Sequence, residues 1–114
     1  FSYLSERKCA NTNLNDRKAW VNAYWEKMDC QHRDADDAES FEDLYLRVQA
    51  FHEKLKALAE KYAEKNLAVF SHGQFLQLLI MHIQQPRPLT KALMQQFRSD
   101  LVRQPIRNTE VFTY

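Results

Sequence analysis

The sequence predicts an α/β fold: a helix-rich part of a three-layer α/β/α sandwich with a mostly parallel sheet, to which these residues contribute about two strands. Two short runs have the length and composition of strands, and they alternate with segments in which apolar residues recur at helical spacing. The third observation is that 114 residues include a single glycine. Helices tolerate that shortage, whereas a fold built from many hairpins needs glycine in its turns.

The first helix is predicted to begin at a cap on Asn15 or Asp16 and to run to about Met28. Its large aromatic side chains recur at helical spacing and share one face: Trp20, Tyr24 and Trp25. Such a stripe either packs into a core or offers a platform for a ligand. We interpret it as core, because aromatic side chains at this spacing are most often buried.

An acidic stretch over residues 29–39 follows this helix. Its carboxylates include Asp34, Asp36, Asp37 and Glu39. We interpret it as a solvated loop, with a lid that selects charged substrates as the alternative. The carboxylates lack the spacing of a Ca²⁺-binding loop and the four histidines lack the spacing of zinc ligands, so the sequence predicts no metal site and no cofactor.

The longest helix is predicted to begin at Ser40, which forms a capping box with Asp43, and to end near residues 65–66. Its apolar residues recur at alternating intervals of four and three: Leu44, Val48, Phe51, Leu55, Leu58 and Tyr62. The stripe indicates a helix packed against a sheet. A coiled coil, and with it a non-catalytic interaction module, is the alternative.

The second half of the chain is predicted to alternate strands and helices. Residues 67–71 form an apolar run of strand length, and residues 75–83 are apolar on nearly every side, as in a buried helix. Another amphipathic helix runs to about Arg103, and residues 110–114 alternate in the manner of a strand. Because two strands do not make a stable sheet, we expect further strands before Phe1, in a longer polypeptide of which this chain is an interior piece.

Composition excludes several classes of protein. The net charge of +1 predicts no nucleic-acid partner, and the longest apolar stretch is too short to cross a membrane. Cys9 and Cys30 are interpreted as free thiols, which favours a cytoplasmic location. The single glycine excludes a glycine-rich phosphate loop, and no Gly-x-Ser-x-Gly motif of a serine hydrolase occurs.

His72 is the residue that points most directly to chemistry. It directly follows the apolar run 67–71 and is followed by the only glycine, Gly73, at the start of a predicted helix. Ligands of α/β sheets bind beyond the carboxyl ends of strands, and helix N-termini bind anions through free N–H groups. Imidazole can donate to a phosphoryl oxygen or attack phosphorus, so this position favours phosphate chemistry. A hydrogen-bonded structural histidine is the alternative.

Several short motifs occur in a defined order: Glu39-Ser40-Phe41, Arg47 seven residues after Ser40, Val69-Phe70-Ser71-His72-Gly73 before an apolar helix, and Asn108 before the last predicted strand. In this order they resemble the carboxyl-terminal half of the histidine phosphatase superfamily, also called phosphoglycerate mutase-like. The resemblance covers essentially the whole chain. It identifies residues 1–114 as the carboxyl-terminal part of a single domain of that kind.

The resemblance implies a phosphomonoester hydrolase, phosphatase or mutase-like, that acts through a phosphohistidine. His72 would be the second histidine of the phosphate pocket, Gly73 would bring the backbone close to phosphate, and Asn108 would help to orient the pocket. No Arg-His-Gly motif occurs, so the nucleophile would lie in a missing amino-terminal half of the same domain. Glu6 is the nearest candidate acid in this chain.

The resemblance implies that the ligand is a phosphorylated small molecule or a phosphate anion. We expect the intact protein to turn such a ligand over and this piece alone to be inactive. A degenerate member of the family, which binds phosphorylated ligands without turnover, fits the missing nucleophile equally well.

Overall fold

The computed structural model describes residues 1–114 and contains five helices and no β-strand. In chain order they are α1 (Glu6–Cys9), α2 (Leu14–Lys27), α3 (Phe41–Lys61), α4 (Gly73–Gln84) and α5 (Lys91–Arg103). All four longer helices were expected: α2, α3 and α5 from the spacing of their apolar residues, and α4 from a run that is apolar on nearly every side. The single turn of α1 was not expected. None of the five combines the length and the hydropathy that crossing a bilayer requires.

Side-chain caps determine where three of the longer helices begin. Asn13 accepts from the N–H groups of the second and third residues of α2, so this helix begins earlier than predicted. Ser40 and Asp43 form the predicted capping box at the start of α3. Thr90 Oγ1 accepts from the Leu93 N–H, at 3.1 Å, at the start of α5. Each cap pairs backbone donors that a helix leaves free in its first turn.

The predicted α/β fold is wrong, and with it the parallel sheet and the three-layer sandwich. Residues 67–71, the first expected strand, make no backbone–backbone hydrogen bond, and in the second, residues 110–114, only the Glu110 N–H makes one, to the Arg107 carbonyl at 3.2 Å in a turn. A strand exists only where a second backbone lies alongside it to exchange N–H and C=O groups, and these segments have no such neighbour. Leu67 and Val69 are close to half exposed and Phe70 is 95% exposed, so the apolar run that resembled a buried strand lies at the surface.

The core lies between α3, α4 and α5, with α2 closing one side. Its fully buried large side chains come from three helices: Phe41, Leu44 and Val48 of α3, Leu78 of α4, and Met94 and Phe97 of α5. Tyr24 and Trp25 of α2 are also buried, which confirms that the aromatic stripe is core. The first half of the α3 stripe is likewise inside this core, because α3 packs against α4 rather than against a second helix in a coiled coil.

The acidic stretch holds α1 in place instead of being only a solvated loop. Asp34 Oδ2 accepts from the Ser5 N–H at 3.0 Å, and Asp37 Oδ2 accepts from the Glu6 N–H at 2.8 Å. Lys8 forms an ion pair with Asp34. Burial opposes the charge of Asp34, but the hydrogen bonds from Lys8 and Ser5 outweigh it and hold the pKa of this carboxyl below its ordinary value. Carboxylates at a helix start stabilise it.

Candidate phosphate-binding site

His72 immediately precedes α4, as its motif suggested, although no strand leads into it. Its backbone is extended, with φ −103° and ψ 147°, and its side chain is exposed. No side chain caps α4, and its first turn contains no acidic residue, in contrast to α3. The first N–H groups of α4 therefore have no side-chain acceptor, and the exposed imidazole of His72 directly precedes them in the chain.

Arg47 is brought to the same place by the packing of α3 against α4. It lies two helical turns after Ser40, and its guanidinium carbon is 5.3 Å from the centroid of the Phe75 ring, in the first turn of α4. Phe75 is buried and also meets Phe51 of α3 edge-on, with 5.5 Å between the ring centroids. The stacked ring therefore fixes Arg47 near the start of α4.

His72 and Arg47 line one hollow of about 290 Å³. Its other lining residues are Phe1, Phe51, Val69, Phe70, Ser71 and Phe75. Small-molecule sites in proteins begin at about 300 Å³, so the hollow is of a size to hold a small ligand.

The carboxylate of Glu39 pairs with only one nitrogen of the Arg47 guanidinium. Its Nη2 lies 3.1 Å from Oε1 and 3.2 Å from Oε2 of Glu39, whose Oε2 also accepts from the Ser2 N–H at 3.0 Å. A guanidinium has five N–H donors, and Nη2 is the only nitrogen of Arg47 that a side chain of this protein engages. The side chain is about half exposed, so its remaining donors are available to a ligand oxyanion.

Comparison with known proteins identifies the family at this point. The family model described as the histidine phosphatase superfamily (branch 1) matches residues 4–102, which is most of the chain. The chain belongs to the histidine phosphatase superfamily. No curated protein and no solved structure matched it. Membership of the superfamily, which the short motifs suggested, is thereby confirmed, while the assignment of these residues to its carboxyl-terminal half stays a prediction.

The structure around Gly73 has space for a larger side chain than hydrogen. Its φ is not in the left-handed region, and a Cβ built on it would lie 3.6 Å from the Ile106 carbonyl oxygen and 3.9 Å from the Ile106 Cβ. Those are ordinary van der Waals distances. Neither backbone conformation nor a close protein neighbour calls for glycine here, which leaves open backbone beside His72.

The other two candidate residues lie elsewhere. Glu6 begins α1, where its N–H donates to Asp37. Asn108 lies in a turn beyond α5, and its carbonyl oxygen accepts from the Thr109 hydroxyl at 2.5 Å. Neither is among the residues that line the hollow. The hollow thus brings together His72 and Arg47, with Gly73 next to His72 in the chain but not among the lining residues, and it includes neither Glu6 nor Asn108.

Arg47 is the site residue that sequence reasoning missed. Its spacing from Ser40 was noted only as part of the family pattern. That spacing of two turns places Arg47 on the same side of α3 as Ser40. Its approach to His72 depends on how α3 crosses α4, and no local sequence signal encodes that.

Proposed function

We propose that this chain supplies the phosphate-binding part of a phosphomonoester hydrolase, phosphatase or mutase-like, which acts through a phosphohistidine in the complete protein. The observation that carries the proposal is that His72 and Arg47 line one hollow at the uncapped start of α4. Two cationic or hydrogen-donating side chains and a helix N-terminus are what a phosphoryl group needs to be held. Membership of the superfamily supports the same activity.

In the proposed reaction, an imidazole nitrogen attacks phosphorus as the bond from phosphorus to the leaving oxygen breaks. A carboxylic acid gives the leaving oxygen its proton, and water then cleaves the new nitrogen–phosphorus bond to release phosphate. His72, Arg47 and the first N–H groups of α4 would hold the non-bridging oxygens, whose charge builds up in the transition state. The donors are already in place before the reaction, so they need little rearrangement.

The attacking histidine is not among these residues, because no Arg-His-Gly motif occurs in the sequence. We propose that residues 1–114 form the carboxyl-terminal part of one domain and that the nucleophile belongs to its amino-terminal half. The 114 residues alone are then expected to bind phosphate without turning over a phosphomonoester. Glu6 as the acid and Asn108 as an orienting residue are expectations from the family resemblance, and binding at the hollow does not depend on them.

Replacing His72 by alanine tests the site in the 114-residue chain. We expect His72→Ala to weaken binding of inorganic phosphate and vanadate by about tenfold, because one charge-assisted hydrogen bond is lost, about 1.4 kcal/mol. Isothermal titration and amide chemical shifts at the start of α4 measure this. His32→Ala, far along the chain in the acidic stretch, is the control and should bind normally. Equal phosphate affinity of His72→Ala and the unaltered chain would refute the site.

In the complete protein, the same substitution should act on turnover. With p-nitrophenyl phosphate and a chelator present, we expect His72→Ala to lower kcat by about 10²–10³-fold, as for loss of one oxyanion donor. A protein that binds phosphate through His72 but hydrolyses nothing would instead be a degenerate member of the family.

The interaction-module alternative has less support. It required the apolar stripe of α3 as a free partner surface. Leu44 and Val48 of that stripe are fully buried, and Phe51 and Leu55 are partly buried against the same core. What remains exposed on α3 is mainly its polar face and Leu46.

A further inference from the structure

The walls of the hollow beside His72 are mostly apolar. Five of its eight lining residues have hydrocarbon side chains: Phe1, Phe51, Val69, Phe70 and Phe75. The polar groups are His72, Arg47 and Ser71, all able to serve one phosphate group. No carboxylate or amide side chain lines the hollow.

The apolar lining determines which leaving groups, attached to the phosphate, the hollow can accommodate. The hydroxyl groups of a sugar or a glycerol need hydrogen-bond partners when they leave water. Once His72 and Arg47 hold the phosphate, Ser71 is the only polar side chain that residues 1–114 still offer in the hollow. A polyhydroxylated leaving group would therefore lose hydrogen bonds to water and gain few in return.

An apolar leaving group would instead find large surfaces to contact. Phe70 lines the hollow but is 95% exposed to solvent. Covering its ring with an apolar part of a ligand would remove that surface from water, which is favourable. Phe51 and Phe75 already meet edge-on, with an interplanar angle of 72°, and present further ring atoms in the same hollow. Aromatic rings favour such offset and edge-on neighbours, so a ring on the ligand suits this wall.

We infer that the site takes phosphate monoesters whose leaving group is apolar and carries a ring, in preference to phosphosugars or glycerol phosphates. This inference rests on the proposed function, since His72 and Arg47 must hold the phosphate. The charge of the phosphate orients the ligand, with the phosphate towards His72 and Arg47. The phenylalanine rings that line the hollow then favour an apolar leaving group.

The test compares the affinity of the 114-residue chain for inorganic phosphate, glycerol 3-phosphate, phenyl phosphate and 1-naphthyl phosphate by isothermal titration. We expect 1-naphthyl phosphate to bind at least about tenfold more tightly than glycerol 3-phosphate, since tenfold is the effect of about 1.4 kcal/mol. Naphthol, which lacks the phosphate, should bind more weakly than its phosphate ester.

A substitution in the wall identifies where the preference comes from. Phe70→Ser removes an exposed ring, so the fold has little to lose, and the ratio of naphthyl phosphate to glycerol phosphate affinity should fall towards one. Phe112→Ser is the matched control, because Phe112 is also an exposed phenylalanine but does not line the hollow, and its ratio should stay high.

Two other outcomes are distinguishable. If all four phosphates bind with equal affinity and His72→Ala weakens them all, the site holds phosphate but the leaving-group preference is refuted. If none of them binds, the proposed function fails and this inference fails with it.

Discussion

Ser40 is a buried polar residue that caps the start of α3, the longest helix. Its side chain is almost completely buried, and its hydroxyl accepts from the Asp43 N–H at 3.1 Å. Asp43 Oδ2 in turn accepts from the Ser40 N–H and hydroxyl, each at 2.8 Å. These bonds, ahead of the nearby Arg33 guanidinium, hold the pKa of the Asp43 carboxyl below its ordinary value. The start of the longest helix thus depends on two short side chains.

Replacing Ser40 by alanine should therefore lower the free energy of unfolding by about 1–2 kcal/mol, the usual cost of losing a helix cap. Urea unfolding followed by circular dichroism measures it. Ser99→Ala, inside α5, is the control: Ser99 is in no side-chain hydrogen bond, and alanine favours a helix interior. An unchanged unfolding midpoint in Ser40→Ala would mean that the capping box does not stabilise α3.

At the scale of elements, the contact between α3 and α4 both builds the candidate site and contains an unusual histidine. His82 of α4 meets Tyr45 and His52 of α3 edge-on, with ring centroids 6.1 Å and 5.3 Å away. Its Nδ1 is buried without a hydrogen-bond partner. Burial, then the charges of His52 and Lys56, lower the pKa of His82, and Glu53 opposes them only in part.

The stability of this contact should depend on pH. Because the folded pKa of His82 lies below its ordinary 6.5, folding favours the neutral ring. The contribution of the neutral His82 ring to the free energy of unfolding is therefore fully present above about pH 6.5. It decreases as the pH falls below that value towards the folded pKa. Urea unfolding at pH values from about 8 to about 5 should show the decrease, and His82→Phe, which keeps an edge-on ring without a proton site, should reduce it.

His32→Gln provides the control for that series, because His32 lies outside the contact between α3 and α4. Its stability should fall with pH as in the unaltered chain. If His82→Phe shows the same decrease, the acid sensitivity comes from other groups.

The elements that the sequence could predict are those whose signals are local. The box formed by Ser40 and Asp43 and the stripe from Leu44 onwards lie within one segment, so α3 was predictable to within a few residues at its end. Residues 67–71 also have a local strand signal, but a strand needs a partner backbone, which this chain does not supply. The candidate site divides in the same way: His72 was proposed from its own motif, whereas the position of Arg47 in the same hollow depends on how the helices pack.

The whole molecule has a small core for its length. Only 16 of 114 residues are buried, and the radius of gyration is 15.6 Å, against about 13 Å for a compact domain of this size. The longest dimension is 49 Å, while the other two are 29 and 28 Å. The apolar run 67–71 and the end of the chain lie at the surface without backbone hydrogen bonds to hold them. Stability is therefore concentrated in α2 to α5.

Limited proteolysis should reveal this unequal distribution. Chymotrypsin should cut first after Phe70 and Phe112, which are 95% and 46% exposed in segments without regular structure. Cleavage after Phe41 and Phe97, which are fully buried, should appear only after unfolding. Mass spectrometry of the early fragments measures the order, and early cleavage after Phe97 would contradict the described core.

The bare backbone at Gly73 carries a cost that the protein could have avoided. A methyl group fits there at ordinary distances, and alanine in place of glycine at a compatible helical position usually adds about 0.4–1 kcal/mol of stability. Glycine gives up that increment and leaves a gap one methyl group deep that faces Ile106. Because glycine has more conformational freedom than alanine in the unfolded chain, ordering the start of α4 costs more entropy than it would with alanine at this position.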